Sequence, residues 1–310
     1  MTDVNVDAPP RWIRVARRVI RRLPAGRYRA MNWVSRRRTG PFWARLPEDA
    51  GGLEFCCDLQ DALMREACMT GRYEPQETLI LRHLLRPRDV FVEVGANWGY
   101  FTLLGAHLVG PHGRVLGVEA DPNACRALER NIARNRLQRV DIVHAAASDA
   151  RGRLSFEPYD RARAPLSNFG VALTTPSRRA TELDVAAVPL DELLDERGID
   201  NVDVLKMDIE GAELKALRGL TRRFVSGSLS RIVIELHPAH LQALGSSVAE
   251  VIALFLSHGY RGWHIDHSTR AHRRAGAGTV SFAALLAPLE HHKKLGSWPH
   301  LLWSREELPR

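Results

Sequence analysis

Along residues 89–290 of this 310-residue chain, short continuous apolar runs alternate with stretches in which apolar residues recur every three or four positions. Short apolar runs predict buried strands, and apolar residues spaced three and four apart predict the helices between them. Strands are expected at 90–94, 115–118, 140–143, 202–207 and 232–236. Helices are expected at 100–109, 122–135, 190–197, 213–219 and 248–258. Strands that alternate with helices predict an α/β fold, a parallel sheet covered by helices on both faces.

The flanking regions divide the rest of the chain. Two late strands are expected at 259–265 and 280–287, and a polar insert at 149–187 holds a hairpin around 154–156. Before the core, segment 51–88 predicts helices at 58–68 and 77–85, separated by a turn at 71–75. We therefore expect four units: a basic, partly disordered N-terminal extension (1–50), a helical lead-in segment (51–88), the core domain (89–290) and a C-terminal tail (291–310).

The net charge of +8 comes from the N-terminal extension, since residues 1–50 hold twelve arginines against four acidic residues and the remainder is balanced. A neutral core does not indicate a nucleic-acid partner. Residues 11–23 place apolar side chains on one face and arginines on the other, which predicts an amphipathic helix. Three interpretations stay open: packing on the core, covering the site or forming a dimer arm, and lying on an anionic membrane surface.

The compartment is indicated by two features of the sequence. Cys56, Cys57, Cys68 and Cys125 show neither paired nor zinc-type spacing, which is typical of reduced thiols. No apolar run reaches transmembrane length, and the N-terminus lacks the apolar region of a signal peptide. A cytoplasmic protein is expected, with membrane association left to the basic helix.

The first strand ends in a glycine turn that leads into a helix, a layout that holds nucleotides. Gly95 permits a tight turn, and Gly99 permits close packing of the helix. Asn97 stands where a dinucleotide fingerprint has its second glycine, and asparagine tolerates a positive φ. Glu93 precedes the turn by two residues, and its carboxylate would repel a pyrophosphate but stabilise a cationic ligand.

The next two strand ends carry the residues expected around a nucleoside. Glu119 ends the second strand, where an acidic residue commonly accepts hydrogen bonds from ribose hydroxyls. Asp121, just before Pro122, is expected to cap the following helix. Small residues at the third strand end, Ala147 and Ser148 among them, leave room for a flat ring.

The last two strand ends concentrate acidic groups. Asp208, Glu210 and Glu213 lie within six positions, a repulsive arrangement that folded proteins accept mainly at functional sites. Glu210 and Glu213 are also explained as ordinary acids at a helix start. Glu235 and His237 lie two apart on the fifth strand and so face the same side. His237 is interpreted as a general base, a metal ligand or a histidine satisfied at a strand end.

Together these motifs resemble the FkbM family of S-adenosylmethionine-dependent methyltransferases. The resemblance rests on Glu-Val-Gly-Ala-Asn-Trp-Gly-Tyr at 93–100, Glu119, and Lys-Met-Asp-Ile-Glu-Gly-Ala-Glu at 206–213, and it covers residues 53–265. Gly-Arg-Tyr-Glu-Pro at 71–75 also looks like that family. The resemblance implies a class I methyltransferase (Rossmann-like) fold for the core domain: a seven-stranded, mostly parallel sheet whose last strand is antiparallel, with an N-terminal helical extension.

The resemblance also implies roles for individual residues. The methionine end of the cofactor would contact Glu93, Gly95, Ala96, Asn97, Gly99 and Tyr100. Glu119 and Ala120 would lie at the ribose, Ala147 and Ser148 at the adenine, and Asp208 between cofactor and acceptor. Acceptor contacts are expected from Tyr73, Glu74, Glu210 and Glu235. The sequence departs from the family pattern at Glu93, where Asp is frequent, and at Glu119-Ala120, where Glu-Pro is frequent.

The expected reaction is methyl transfer from S-adenosylmethionine to a hydroxyl of a sugar, glycan or natural product, with Asp208 or His237 assisting proton removal. Segments 53–80, 149–187 and 263–274 would form the pocket for this small-molecule or saccharide acceptor. Two alternatives stay open. One is a divalent cation held by the acidic cluster Asp208, Glu210 and Glu235 with His237. The other is an NAD-type nucleotide-binding protein that is not a methyltransferase.

Overall fold

The computed structural model describes residues 8–23, 26–37, 39–156, 183–289 and 295–308. Most of the expected disordered leader, the middle of the expected insert and the start of the expected tail lie outside the described residues.

Before the core, the described residues form four α-helices, a short 3₁₀ turn at Glu48–Ala50 and a β-hairpin. Its elements are α1 (Arg11–Arg22), α2 (Arg27–Ser35), β1 (Phe42–Arg45), β2 (Glu54–Cys57), α3 (Ala62–Thr70) and α4 (Pro75–Leu84). The hairpin of β1 and β2 was not predicted. It is held against the core because Phe55 stacks on Trp98, with 4.8 Å between ring centroids.

The core alternates strands and helices as the hydrophobic pattern predicts. Its first half contains β3 (Val90–Val94), α5 (Tyr100–Val109), β4 (Arg114–Glu119), α6 (Pro122–Asn135), β5 (Val140–His144), β6 (Ala146–Ser148) and β7 (Gly152–Phe156). Its second half contains β8 (Leu183–Pro189), α7 (Leu190–Glu196), β9 (Val202–Met207), α8 (Glu213–Arg218), α9 (Thr221–Ser226), β10 (Leu229–Glu235), α10 (Pro238–Ala243), α11 (Val248–Ser257), β11 (Arg261–Ile265), α12 (Thr269–Gly276), β12 (Leu286–Pro288) and β13 (His300–Ser304).

The main sheet has the strand order β12-β11-β13-β10-β9-β3-β4-β5 among the described residues. Strands β5, β4, β3, β9 and β10 are parallel, and β13 runs antiparallel between β10 and β11. The order reverses beside β3, with β4 on one side and β9 on the other. In an open sheet, ligands bind outside the carboxyl ends of the strands at such a reversal.

Strand periodicity builds a hydrophobic core on both faces of this sheet. Phe91 and Val204 pack in one core cluster, whereas their chain neighbours Val92 and Leu205 pack in the other. Successive residues of a strand point to opposite faces, so a sheet covered on both sides needs apolar residues at every position. This explains why β3 and β9 appear in the sequence as unbroken apolar runs.

The late strands correct the sequence prediction. The strand expected at 280–287 is a short 3₁₀ turn at Ala283–Leu285 followed by β12, an edge strand. The antiparallel strand of the expected seven is instead β13, which lies in the segment predicted as a tail. Its sequence, His-Leu-Leu-Trp-Ser, is fully buried but only five residues long. Helix α12, which packs against α4, was not predicted either.

The basic helix predicted at 11–23 is α1. Ile13 and Ile20 are buried, and the Arg21 side chain donates a hydrogen bond to the carbonyl of Met69 in α3. Packing on the core therefore describes this helix, and membrane contact stays a prediction. No helix in the described ranges is long and apolar enough to cross a bilayer. All four cysteines are buried free thiols, as expected.

Candidate active site

A cavity of about 590 Å³ opens at the carboxyl ends of the central strands. Fourteen of the sixteen residues predicted for the site line it: Tyr73, Glu74, Glu93, Gly95, Ala96, Asn97, Tyr100, Glu119, Ala120, Ala147, Asp208, Glu210, Glu235 and His237. Gly99 and Ser148 do not line it. Gly99 instead serves helix packing, because a Cβ there would lie 2.2 Å from Leu128 Cδ1.

The turn after β3 brings the ends of two strands into backbone contact. Gly95 has a φ of 86°, and a Cβ at this position would lie 1.9 Å from the carbonyl oxygen of Asp208. Asn97 has a φ of 49°, the left-handed conformation that its residue type tolerates. Only glycine at position 95 therefore lets Asp208 lie directly beside the turn.

Glu119 joins the turn to the end of β4. Its two carboxylate oxygens accept hydrogen bonds from the backbone N–H groups of Asn97 and Asp121, both at 2.7 Å. Burial raises the pKa of Glu119, and these backbone hydrogen bonds oppose the rise. Asp121 caps α6 by accepting from the N–H of Asn123, as predicted. The carboxylate of Glu119 is thus fixed in place, and its remaining lone pairs can accept hydrogen bonds from two adjacent hydroxyl groups of a ligand.

Glu93 lies deeper in the cavity and is only 2% exposed. The hydroxyl of Thr102 donates to its Oε2 at 2.5 Å. Burial raises the pKa of Glu93 to about 8, against the opposing effects of the Lys206 charge and the Thr102 hydrogen bond.

Lys206 is a functional candidate that the sequence reasoning missed. It is 4% exposed, its Nζ lies 4.4 Å from the ring centroid of Phe101, and it is 3.9 Å from Asp208 Oδ2 and 4.0 Å from Glu74 Oε2. Burial disfavours its charge, but Glu74, Asp208 and Glu93 raise its pKa above the ordinary value. A lysine inside an apolar strand was the available signal, because buried lysines are almost always paired.

The acceptor-side cluster is Asp208, Glu210, Glu213 and His237. Nε2 of His237 lies 3.2 Å from Glu210 Oε2 and 3.9 Å from Asp208 Oδ1. Nδ1 lies 2.8 Å from Glu213 Oε1, which also accepts from the N–H of Gly211 at 2.9 Å. Glu213 is fully buried, so it orients the histidine and is no ordinary solvated acid of a helix start.

Burial, hydrogen bonding and neighbouring charges together set the pKa values in this cluster. Burial lowers the pKa of His237, but the Glu213 hydrogen bond and the charges of Asp208 and Glu210 outweigh it and raise the pKa to about 9. Burial, reinforced by Asp208, raises the pKa of Glu210 to about 8. Glu210 also has a φ of 55°, a strained conformation that places its carboxylate toward the histidine.

Glu74 and Glu235 extend the acidic surface across the cavity. Burial raises the pKa of Glu74 to about 7, and that of Glu235 well above its ordinary value. Glu74 adopts a φ of 41° just before α4. Glu74 Oε2 and Glu210 Oε2 are buried, and besides their ion pairs with Lys206 and His237 they have no partner with hydrogen-bond geometry among the described residues. Unsatisfied buried acceptors are costly, which indicates a ligand that supplies donors here.

A second group of titratable residues was also missed. Glu77 of α4 lies between His267, from the loop after β11, and His300 of β13. Segment 263–274 was expected to contribute to the acceptor pocket, and both His267 and His300 line the cavity. The sequence does not indicate this pairing, because the segment that contains β13 is predicted as a tail and not as a strand.

The N-terminal extension reaches the rim of the cavity. The hydroxyl of Tyr28 in α2 donates to Glu66 Oε1 at 3.2 Å and lies 3.4 Å from Nε2 of His272. All three residues line the cavity. The extension therefore both packs on the core and borders the site.

The residues present fit S-adenosylmethionine. Its ribose hydroxyls suit the fixed carboxylate of Glu119, and its two cationic groups suit a cavity lined by Glu93 and Asp208. Ala147 and its small neighbours border the cavity where the adenine ring would lie. A pyrophosphate would instead meet buried carboxylates.

The sheet order with its inserted antiparallel strand, and the carboxylates at the reversal point, define a class I S-adenosylmethionine-dependent methyltransferase. The methyltransferase FkbM domain matches residues 93–261. The chain belongs to the FkbM methyltransferase family, which decides against the NAD-type alternative.

Similar proteins include the 31-O-demethyl-FK506 methyltransferase FkbM of Streptomyces tacrolimicus, 31% identical over 207 residues that cover 58% of this chain and 76% of that protein. The hexuronic acid methyltransferase AglP of Haloferax volcanii is 25% identical over 151 residues, 48% of this chain and 56% of that protein. Among solved structures, cofactor-bound Rv0187 from MTB is 15% identical with a TM-score of 0.41, over 75% of this chain and 80% of that one.

Proposed function

We propose that this methyltransferase methylates a hydroxyl oxygen of a sugar, glycan or natural-product acceptor. The names of two relatives support this class, since one acts at an oxygen of FK506 and the other on a hexuronic acid. The observation that carries the proposal is the acceptor-side cluster next to the cofactor turn. It offers acceptor oxygens to a polyhydroxylated ligand, and Asp208 lies in backbone contact with Gly95.

Of the two candidate bases, the geometry favours Asp208. His237 is 4% exposed and has carboxylates at both ring nitrogens, and its raised pKa of about 9 keeps it protonated at neutral pH. A protonated imidazole cannot accept a proton. Asp208 is more exposed, with 24% of its side-chain surface accessible, and borders the cavity. We assign proton acceptance to Asp208 and the positioning of the carboxylates to His237.

S-adenosylmethionine supplies an electrophilic methyl group when bound. The chain must align an acceptor oxygen with that methyl group, which is worth roughly 7–11 kcal/mol at best. Glu119 would fix the nucleoside, while Glu74, Glu210 and Glu235 would accept hydrogen bonds from other hydroxyls of the acceptor. Asp208 would take the proton as the oxygen attacks.

The test is methyl transfer by the full-length protein from labelled S-adenosylmethionine to a panel of sugars, glycans and macrolides. With a substrate identified, Asp208→Asn should lower kcat by roughly 10²–10⁴-fold, the usual contribution of a general base. Binding of S-adenosylhomocysteine should change much less than kcat. Glu129→Gln, an exposed position on α6, is the matched control. A nitrogen-methylated product, or a fully active Asp208→Asn variant, would contradict the proposal.

The second candidate is a metal-assisted version of the same reaction. Ligand atoms of Asp208, Glu210 and His237 lie within 4.8 Å of one another. A cation held there would lower the pKa of the acceptor hydroxyl. Enzyme that keeps full activity after exhaustive chelation would exclude this version and leave the general base.

A further inference from the structure

We propose that Glu77, His267 and His300 form a binding site for a first-row divalent transition-metal ion of the Zn²⁺ type. Three elements that are distant in sequence bring these ligands together: helix α4, the loop between β11 and α12, and the inserted strand β13. One ligand atom from each lies within 4.8 Å of the other two.

The contacts of Glu77 indicate convergence on a common point. Its Oε1 lies 2.5 Å from Nε2 of His267 and 2.6 Å from Nδ1 of His300. Yet among the described residues neither Glu77 oxygen, nor Nε2 of His267, has a partner with hydrogen-bond geometry. Glu77 is 1% exposed, so water does not readily satisfy it. The two imidazoles are therefore the close partners of this buried carboxylate, and a cation bound between the three groups would replace these contacts with bonds to one ion.

The ligand set selects the class of ion. Two imidazoles and one carboxylate suit Zn²⁺ and its neighbours, whereas Mg²⁺ and Ca²⁺ prefer oxygen ligands. Around tetrahedral Zn²⁺, ligand atoms stand about 3.3 Å apart, so the Glu77 oxygen and each histidine nitrogen would move apart by less than about 1 Å. Three protein ligands leave a fourth position, and His267 and His300 line the cavity into which it would open.

An outer carboxylate supports the assignment. The second ring nitrogen of His300, Nε2, lies 3.5 Å from Glu235 Oε1. Metal-bound histidines commonly direct their other ring nitrogen to a carboxylate, which fixes the tautomer and the ring orientation. The two rings are stacked and nearly parallel, with centroids 3.4 Å apart, so both must tilt to bind one ion, because a metal lies close to the plane of each imidazole that binds it.

The experiment measures metal binding and needs no methyl-transfer assay. Untagged full-length protein is stripped with a chelator and titrated with Zn²⁺ by calorimetry, with elemental analysis after dialysis. Co²⁺ substitution gives a visible absorption band as a second readout. His267→Gln is the main variant because it lies in a partly exposed loop, and Glu77→Gln is the companion. His112→Gln, an exposed histidine, is the matched control.

We expect His267→Gln to lose one bound ion per chain and the Co²⁺ band of this site, while His112→Gln and Asp208→Asn keep both. Circular dichroism establishes that the variants are folded. The proposal is overturned if the wild-type protein binds no Zn²⁺, or if Asp208→Asn loses the ion that His267→Gln retains. The second outcome would place the ion in the acceptor-side cluster instead.

Discussion

The carboxylates of the cavity fall into two halves that differ in how their oxygens are satisfied. On the cofactor side, Glu93 accepts from Thr102 and Glu119 accepts from two backbone N–H groups. On the acceptor side, Glu74 and Glu210 each keep a buried oxygen without a hydrogen-bond partner among the described residues. The cofactor half is thus preorganised by the protein itself, whereas the acceptor half is completed by what binds there.

Lys206 lies between the two halves, and its positive charge compensates the negative charge of carboxylates in both. It is 3.9 Å from Asp208 and 4.0 Å from Glu74, and its charge also acts on Glu93. Removing one partner of a buried ion pair leaves an uncompensated charge, which is far more costly than the pair is stabilising. The carboxylates of both halves therefore depend on the charge of Lys206.

Lys206→Met gives the largest expected effect. It should lower the free energy of unfolding by roughly 3–5 kcal/mol at pH 7.5, because the nearby carboxylates lose their counter-charge. The loss should be smaller at pH 5.5, where protonation removes the uncompensated charge. Urea denaturation at both pH values measures this, with Lys215→Met on α8 as the control. An equal loss at both pH values would mean that Lys206 acts through packing on Phe101 alone.

The sequence determines the cofactor half more completely than the acceptor half. Glu93, Asn97 and Glu119 belong to one continuous βαβ unit, whose strand and helix periods predict their positions. The acceptor half combines β9 and β10 with α4 and the inserted β13. Residues such as Glu77 and His300 meet only through this long-range topology, which no local pattern encodes.

Strand β13 and Glu213 likewise take their places in the fold from long-range contacts. A five-residue buried strand such as β13 shows no alternation of polar and apolar residues, since both its faces are covered. The sequence also explains Glu213 as an ordinary acid at a helix start, yet its fully buried carboxylate contacts Nδ1 of His237. The turn before α8 also lies against α10, since a Cβ at Gly211 would be 2.4 Å from His240 Cβ, and this too is a tertiary contact.

Glu93→Gln tests whether the buried carboxyl group of the cofactor half is protonated in the folded protein at neutral pH. The folded-state pKa of about 8 lies above the ordinary value of 4.5, so the protonated form stabilises the fold. That stabilisation is complete below pH 4.5 and is lost as the pH rises through about 8. The variant, which mimics the protonated acid, should match the wild type near pH 5 and be roughly 2–4 kcal/mol more stable at pH 8.5.

Denaturation of both proteins across this range measures the difference, and titrations shared by the two chains cancel. Thr102 can still donate to the amide oxygen of the variant, so the hydrogen bond itself is kept. A constant difference from pH 5 to pH 8.5 would show that Glu93 is ionised throughout, with Lys206 as its effective counter-ion.

Glu119→Gln gives the smallest expected effect and isolates the ribose contact. The glutamine amide keeps one acceptor oxygen, but its NH₂ group faces one of the two backbone N–H groups that Glu119 accepts from. The variant therefore cannot accept hydrogen bonds from Asn97, from Asp121 and from the ribose hydroxyls together. Loss of a charge-assisted hydrogen bond costs roughly 1.5–3 kcal/mol, so the Kd for S-adenosylhomocysteine should rise about 10- to 100-fold. Calorimetry measures this Kd, with Glu129→Gln as the control.

A distorted turn could raise the Kd without any ribose contact, and a cycle with deoxyribose analogues of the ligand separates the two causes. If Glu119 binds the diol, removing a ribose hydroxyl should weaken binding to the wild type but change little for the variant, because the partner of that hydroxyl is already absent. Equal losses of affinity in both proteins would mean that Glu119 only holds the backbone at Asn97 and Asp121 and makes no contact with the ribose. The cofactor half would then be preorganised in its backbone alone.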